Sequence, residues 1–150
     1  MTSRKDAIET EAMLNRLQSA GISREDAESL RRISMTLHRW HEMECGDSND
    51  YSSWALVRGA KQPEGFVYDD NGKPFLEVHT LWGRTQYLVI SDREAGALKR
   101  LATIMARYPA LCSYVQGDPR GATLYILRPG DVPEGENADS YYSRGLAVYK

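Results

Sequence analysis

The feature that most constrains the fold is an amphipathic segment in the first third of the chain, bounded by residues that start and stop helices. Its apolar residues recur at three- and four-residue spacing and so share one helix face: Leu30, Ile33, Leu37 and Trp40. Ser23 is a typical N-cap with Asp26 as its capping-box partner, and Gly46 is typical of a helix end. The sequence therefore predicts a helix over residues 24–45 whose apolar face must be covered by a second layer.

Two further helices are predicted on either side of a strand-rich region. A weak apolar stripe over about residues 5–19, followed by Gly21, predicts an N-terminal helix with these inward residues: Ile8, Met13, Leu14 and Leu17. A helix that begins after Ser91, with Glu94 as capping-box partner, and ends before Pro109 has a stronger stripe: Leu98, Leu101, Ile104, Met105 and Tyr108. We expect all three helices to bury one face only.

Short strand patterns separated by turn residues fill the rest of the chain. The predicted strands cover residues 53–58, 65–68, 74–81, 85–90, 111–116, 122–128 and, as an edge strand, 144–149. Asn71-Gly72 is typical of a tight hairpin, and Asp118-Pro119-Arg120-Gly121 has type I turn composition. This order predicts an α+β fold: N-terminal helices, a mostly antiparallel β-sheet and one further helix packed on it. We expect residues 1–22 to form a helical extension and residues 23–150 a single α+β domain.

Composition narrows the class of protein. The net charge of -2 carries no field that would recruit nucleic acid, and no apolar run is long enough to span a membrane. Residues 1–21 are polar and lack the apolar core of a secretory signal. Cys45 and Cys112 make no disulfide framework and are typical of reduced thiols. We therefore expect a cytoplasmic protein that does not contact a membrane.

The end of the second predicted helix is the densest in groups that could bind a metal. His38, His41 and Cys45 fall within about 60° of one another on the helix, and imidazole with thiolate is a good zinc set with a fourth position open. Cys112 or His79 could complete the set. The alternative is a polar seam in which each histidine is hydrogen-bonded, and no cofactor is then required.

The third predicted helix carries a basic stripe. Arg93, Arg100 and Arg107 recur every seven residues and line up on one side, either to contact phosphates or as a solvated helix edge. Tyrosine, tryptophan and arginine are also the types that anchor protein interfaces. The predicted binding surface comprises Trp40, Arg93, Arg100, Arg107, Arg120, Tyr125, Arg128, Tyr141 and Tyr142.

Four segments together resemble small uncharacterised proteins encoded in tailed bacteriophages and prophages. They are residues 40–47 (WHEMECGD), 118–126 (DPRGATLYI), 128–131 (RPGD) and 141–145 (YYSRG). The likeness runs from about residue 30 to the C-terminus and implies a setting, the bacterial host cytoplasm, without implying any site residue. Small phage proteins of this kind often inhibit host defence, the anti-CRISPR proteins among them.

These observations favour a phage accessory protein that acts by binding a host or phage protein complex, without catalytic activity of its own. One alternative is a metal-dependent enzyme acting on nucleic acid or a nucleotide, with zinc held by His38, His41 and Cys45 and with Glu42 or Glu44 as base. The other is a nucleic-acid-binding protein that uses the arginine stripe. An exposed sheet edge leaves a homodimer open.

Overall fold

A computed structural model describes residues 4–45, 52–54, 66–68, 70–71, 74–80, 85–89, 92–118, 121–136 and 141–148. Side chains are described within residues 4–39, 70–71, 92–115, 123–136, 141 and 143–148. The fold is α+β, with two helices at the N-terminus and a third helix packed near an antiparallel sheet, as the sequence predicts.

The three helices begin and end close to their predicted bounds. They are α1 (Arg4–Ser19), α2 (Arg24–Cys45) and α3 (Asp92–Met105). Gly21 has a φ of +99°, a left-handed conformation that glycine adopts without strain, so it ends α1 as expected. Ser23 caps α2, because the Asp26 backbone N–H donates to Ser23 Oγ at 3.1 Å.

Seven strands form one antiparallel sheet in the described part of the chain. They are β1 (Ser52–Trp54), β2 (Phe66–Tyr68), β3 (Pro74–Thr80), β4 (Thr85–Val89), β5 (Cys112–Asp118), β6 (Gly121–Leu127) and β7 (Leu146–Ala147). β4 pairs one side of β3, while β2 and β1 pair the other side at opposite ends. β1 then joins β5, which is followed by β6 and β7. Both predicted hairpins are confirmed, with Tyr68 opposite Pro74 and Asp118 opposite Gly121.

The core lies between the helices and one face of β5 and β6. Val115 faces Leu124 across the strand pair, and both are buried in the same cluster as the inward residues of the helices. Successive residues of a strand alternate between faces, so Tyr114 and Tyr125, which are also in register, lie on the face away from the helices. The helical part of the cluster consists of Met13, Leu14, Leu17, Ile22, Ala27, Leu30, Ile33, Leu37, Ala95, Ala97, Leu98, Leu101, Ile104 and Met105.

Several sequence expectations differ from the structure. Ile8, predicted on the buried stripe of α1, is 61% exposed, because only the C-terminal half of α1 meets the core. Tyr108 is half-buried beyond the end of α3 rather than in its stripe. The predicted edge strand over residues 144–149 is reduced to β7, which pairs with β6. Residues 55–58 of the predicted first strand lie outside the described residues.

Candidate binding surface

The solvent-exposed side of α3 carries three cationic residues. Burial of Leu98, Leu101 and Ile104 against the core turns the opposite side of the helix to solvent. Arg93, Lys99 and Arg100 are all exposed, and we name these three residues the α3 cationic face. At about 100° per residue, Arg93 and Arg100 lie at the edge of the buried stripe, beside Ile104, and Lys99 lies further round towards solvent. The seven-residue spacing of Arg93 and Arg100 places them about 10 Å apart along the helix. Two members of the predicted basic stripe therefore lie on one accessible surface.

The guanidinium of Arg100 lies over a small residue one turn earlier in α3. A Cβ atom built on Gly96 would lie 3.4 Å from Arg100 Nη1, so the Arg100 side chain lies over Gly96, one turn towards the start of α3. Within the described part of the chain, neither Arg93 nor Arg100 forms an ion pair. Neither guanidinium group donates a hydrogen bond to another side chain among the residues that the structure describes.

Arg107, the third member of the predicted stripe, is engaged inside the molecule. Its Nη1 donates to Asp26 Oδ1 at 2.6 Å, and the Tyr108 hydroxyl donates to Asp26 Oδ2 at 2.5 Å. The Ser23 backbone N–H in turn donates to the Tyr108 hydroxyl at 3.0 Å. The predicted capping box of α2 is thus completed through Tyr108 rather than by direct contact of the Asp26 carboxylate with Ser23.

This group of Ser23, Asp26, Arg107 and Tyr108 is a feature that the sequence did not predict. The sequence predicts a local capping role for Asp26. In the structure its buried carboxylate joins the start of α2 to the turn after α3. The partners are separated by 81 and 82 positions along the chain. The only signal in the sequence is an acidic residue in the first turn of a helix. Water alone can supply the hydrogen bonds of such a carboxylate, so the residue does not by itself indicate a distant partner.

Arg128 is also held by an internal carboxylate. Its Nε and Nη2 donate to Asp131 at 2.8 and 3.0 Å, and its backbone N–H donates to Asp131 Oδ2 at 2.8 Å, around a 3₁₀ turn over Pro129–Asp131. The hydrogen bond from the Arg128 side chain lowers the pKa of Asp131, against partial burial, which raises it. A guanidinium bound on two atoms by its own chain is a poorer anchor for an acidic partner than Arg93 or Arg100.

The remaining predicted anchors lie on other parts of the molecule. Tyr125 is half-buried on the sheet face away from the helices. Tyr141 is half-buried beneath the Arg144 guanidinium, which lies 4.6 Å from the ring centre. Trp40 is in α2, Tyr142 begins a 3₁₀ turn, and Arg120 lies between β5 and β6; the side chains of all three fall outside the described residues. The described surface therefore brings together only the α3 arginines.

The zinc hypothesis stays a prediction. His38, His41 and Cys45 all belong to α2, but only His38 has a described side chain. His38 is half-buried and takes part in a hydrogen bond, ion pair, ring contact or other electrostatic interaction. Among the residues that the structure describes, no three His, Cys, Asp or Glu side chains are grouped to hold a metal. Cys112 is a half-buried free thiol on β5.

No protein family, no curated protein and no solved structure is detectably similar to this chain. In the portion described, no helix combines the length and apolar character needed to cross a bilayer.

Proposed function

We propose that this chain is a phage-encoded accessory protein of the bacterial cytoplasm that acts by binding a host protein complex. Its most specific form is an inhibitor of a host defence system of the CRISPR type. The observation that carries the proposal is the pair of exposed guanidinium groups of Arg93 and Arg100 on α3. The phage-like segments of the sequence supply the setting.

The α3 cationic face suits protein recognition for two reasons. The apolar side of α3 packs tightly, with Leu98 and Leu101 at most 1% exposed, so the arginines extend from a rigid support and less ordering is needed on binding. Arginine is also over-represented among the residues that dominate binding energy. We therefore infer a partner with an acidic surface, which would also accelerate association by charge steering.

The sign of the charge restricts where such a protein could act on a CRISPR complex. The guide and target strands of these complexes lie in a positively charged channel. A cationic face is repelled there, unlike an acidic mimic of DNA. The inferred contact is an acidic protein surface outside the channel.

A matched pair of charge reversals tests the proposal. The first variant carries R93E with R100E; the control carries K5E with R16E, which makes the same change in net charge at exposed positions of α1. Each full-length protein is produced in host cells with active CRISPR immunity, and plaque formation by a targeted phage is counted. Nuclease-treated lysates of the same cells are used to measure binding.

We expect the wild type and the control to restore plaques and to retain a stoichiometric protein partner. The variant with R93E and R100E should show a roughly tenfold or greater loss in plaque number and in affinity for the partner. The reason is that two charged anchors contribute about 1 kcal/mol or more each to binding. Equal activity of the two variants would remove α3 from the interface. Absence of any stoichiometric partner of the wild type would refute protein binding altogether.

The alternative function, nucleic-acid binding by the same face, gives a different result. The partner would then be lost on nuclease treatment, and affinity for a DNA or RNA duplex would fall steeply with added salt.

A further inference from the structure

A cleft of about 460 Å³ lies between α1 and α2, away from the α3 cationic face. It follows from the short apolar stripe of α1: Leu14 and Leu17 hold the C-terminal half of α1 against the core, whereas residues 4–9 are exposed. The walls are two facing rows of side chains at helical spacing, with Ala7, Thr10, Glu11 and Leu14 on α1 and Arg24, Glu28, Arg31 and Arg32 on α2. The cleft is open to solvent along one side, and its volume is large enough to admit a small molecule.

The two carboxylates of the cleft are already bound. Arg24 donates to both oxygens of Glu11, at 2.9 and 2.6 Å, and to Glu28 Oε1 at 3.4 Å. The hydrogen bond from Arg24 also lowers the pKa of Glu11, so this carboxylate stays ionised and committed to the arginine. A cation that entered the cleft would have to displace Arg24 from Glu11.

Among the described residues, no carboxylate pairs with the two other arginines of the cleft. Arg31 is half-buried and forms no ion pair or hydrogen bond within the described portion of the chain. In the part of the chain that the structure describes, the Arg32 side chain donates to the hydroxyl of Ser29, at 3.1 Å, and to no other group. With three guanidinium groups against two carboxylates, the lining has a net charge of +1. A partly desolvated guanidinium is stabilised by an anion that accepts hydrogen bonds from it on two atoms.

We propose that this cleft is a binding site for a small organic anion. Its carboxylate or phosphate group would accept hydrogen bonds from Arg31 and Arg32, with the Thr10 hydroxyl as a further polar contact. The apolar part of the ligand would lie against Ala7 and Leu14, which form the uncharged wall of the cleft. None of the lining residues of the cleft belongs to α3. The anion-binding proposal and the partner-binding proposal can therefore be tested separately.

The test uses three probes of similar size and different charge on the full-length protein: phenyl phosphate, benzoate and benzyl alcohol. Calorimetric titration should give a measurable affinity for at least one of the two anions and at least tenfold weaker binding of the neutral alcohol. R31Q should weaken anion binding by at least tenfold, and R16Q, at an exposed position of α1 outside the cleft, by less than twofold. A charge-assisted hydrogen bond of about 1.5–3 kcal/mol corresponds to this range.

A second measurement needs no variant. In amide NMR spectra of the wild type, the bound anion should perturb residues of α1 and the first half of α2. Perturbations centred on α3, or an R31Q variant that is folded and binds as tightly as wild type, would overturn the assignment. So would two anions that bind no better than benzyl alcohol. If phenyl phosphate binds and benzoate does not, the cleft is a phosphate site. If benzoate binds and phenyl phosphate does not, it is a carboxylate site.

Discussion

Ion pairs join the start of α2 to the α3 side of the molecule and to α1. Both pairs consist of an arginine and a carboxylate, but the two carboxylates differ in their exposure to water. Towards α3, Arg107 Nη1 lies 2.6 Å from Asp26 Oδ1; towards α1, Arg24 Nη2 lies 2.6 Å from Glu11 Oε2. The carboxylates differ in burial, since the Asp26 side chain is 9% exposed and that of Glu11 is 55% exposed, whereas both arginines are partly exposed, Arg107 at 57% and Arg24 at 37%. Equal distances therefore do not imply equal contributions, because water screens one pair and is largely excluded from the carboxylate of the other.

The apolar contacts follow the same division. Along α3, the buried residues extend from Ala95 to Met105, so the helix is covered by the core over its length. Along α1, burial is confined to Met13, Leu14 and Leu17, and the first two turns are exposed. We infer that α3 is an integral part of the core and that the N-terminal half of α1 is attached weakly.

The largest expected effect is on the apolar side of α3. Leu101 is 0% exposed, and Leu101→Ala should lower the free energy of unfolding by about 3 kcal/mol through lost burial and the cavity left behind. Ile8→Ala, on the exposed part of α1, should change it by less than about 0.5 kcal/mol. Urea denaturation measures both. Similar losses for the two substitutions would contradict the division between α3 and α1.

A smaller loss is expected at the buried carboxylate. Asp26→Asn keeps the size of the side chain but weakens its hydrogen bonds with Arg107 and Tyr108, at a cost of about 2 kcal/mol. Glu25→Gln, an exposed neighbour on α2, is the matched control and should stay within about 0.5 kcal/mol of wild type. If Asp26→Asn is as stable as its control, the bonds to Arg107 and Tyr108 do not join the helices.

The smallest effect is expected at the exposed pair. Glu11→Gln should destabilise less than Asp26→Asn, and the difference from wild type should vanish at about 1 M salt. The bond from Arg24 holds the pKa of Glu11 below its ordinary value of 4.5. Its contribution is therefore present above that value and is lost as the pH falls through the lower pKa of the folded protein.

Urea denaturation of wild type and Glu11→Gln at several pH values and salt concentrations checks this expectation. A difference that persists in acid or in high salt would mean that Glu11 acts by packing rather than by charge.

The elements with local signals were predicted well. The Ser23 cap and the β2–β3 hairpin depend on residues a few positions apart, so their sequence is sufficient to specify them. The tight turn predicted at Asn71-Gly72 is not confirmed, because Tyr68 pairs with Pro74 across residues 69–73, Asn71 does not have a positive φ, and Gly72 lies outside the described residues. The stripe of α3 was also correct for Leu98, Leu101, Ile104 and Met105. Ile8 was wrong, because a weak stripe does not reveal how far along a helix the core extends.

The candidate site was predicted less completely. Sequence spacing groups Arg93, Arg100 and Arg107, whereas in the structure Arg107 pairs with Asp26 and the first two have no carboxylate partner among the described residues. The α1–α2 cleft was not foreseen, since it depends on the angle between two helices and on which arginine reaches Glu11. Neither is encoded in residue spacing.

The sequence by itself determined the α+β class, the helix starts and the pairing of the two hairpins, since these depend on backbone preferences and on short-range periodicity. The tertiary structure alone decided which charges are used internally. Asp26 pairs with Arg107 and Asp131 pairs with Arg128, while Arg93, Arg100 and Arg31 have no carboxylate partner among the described residues. The physical reason is that an ion pair depends on distance in space and on exclusion of water, and both arise only when the layers pack.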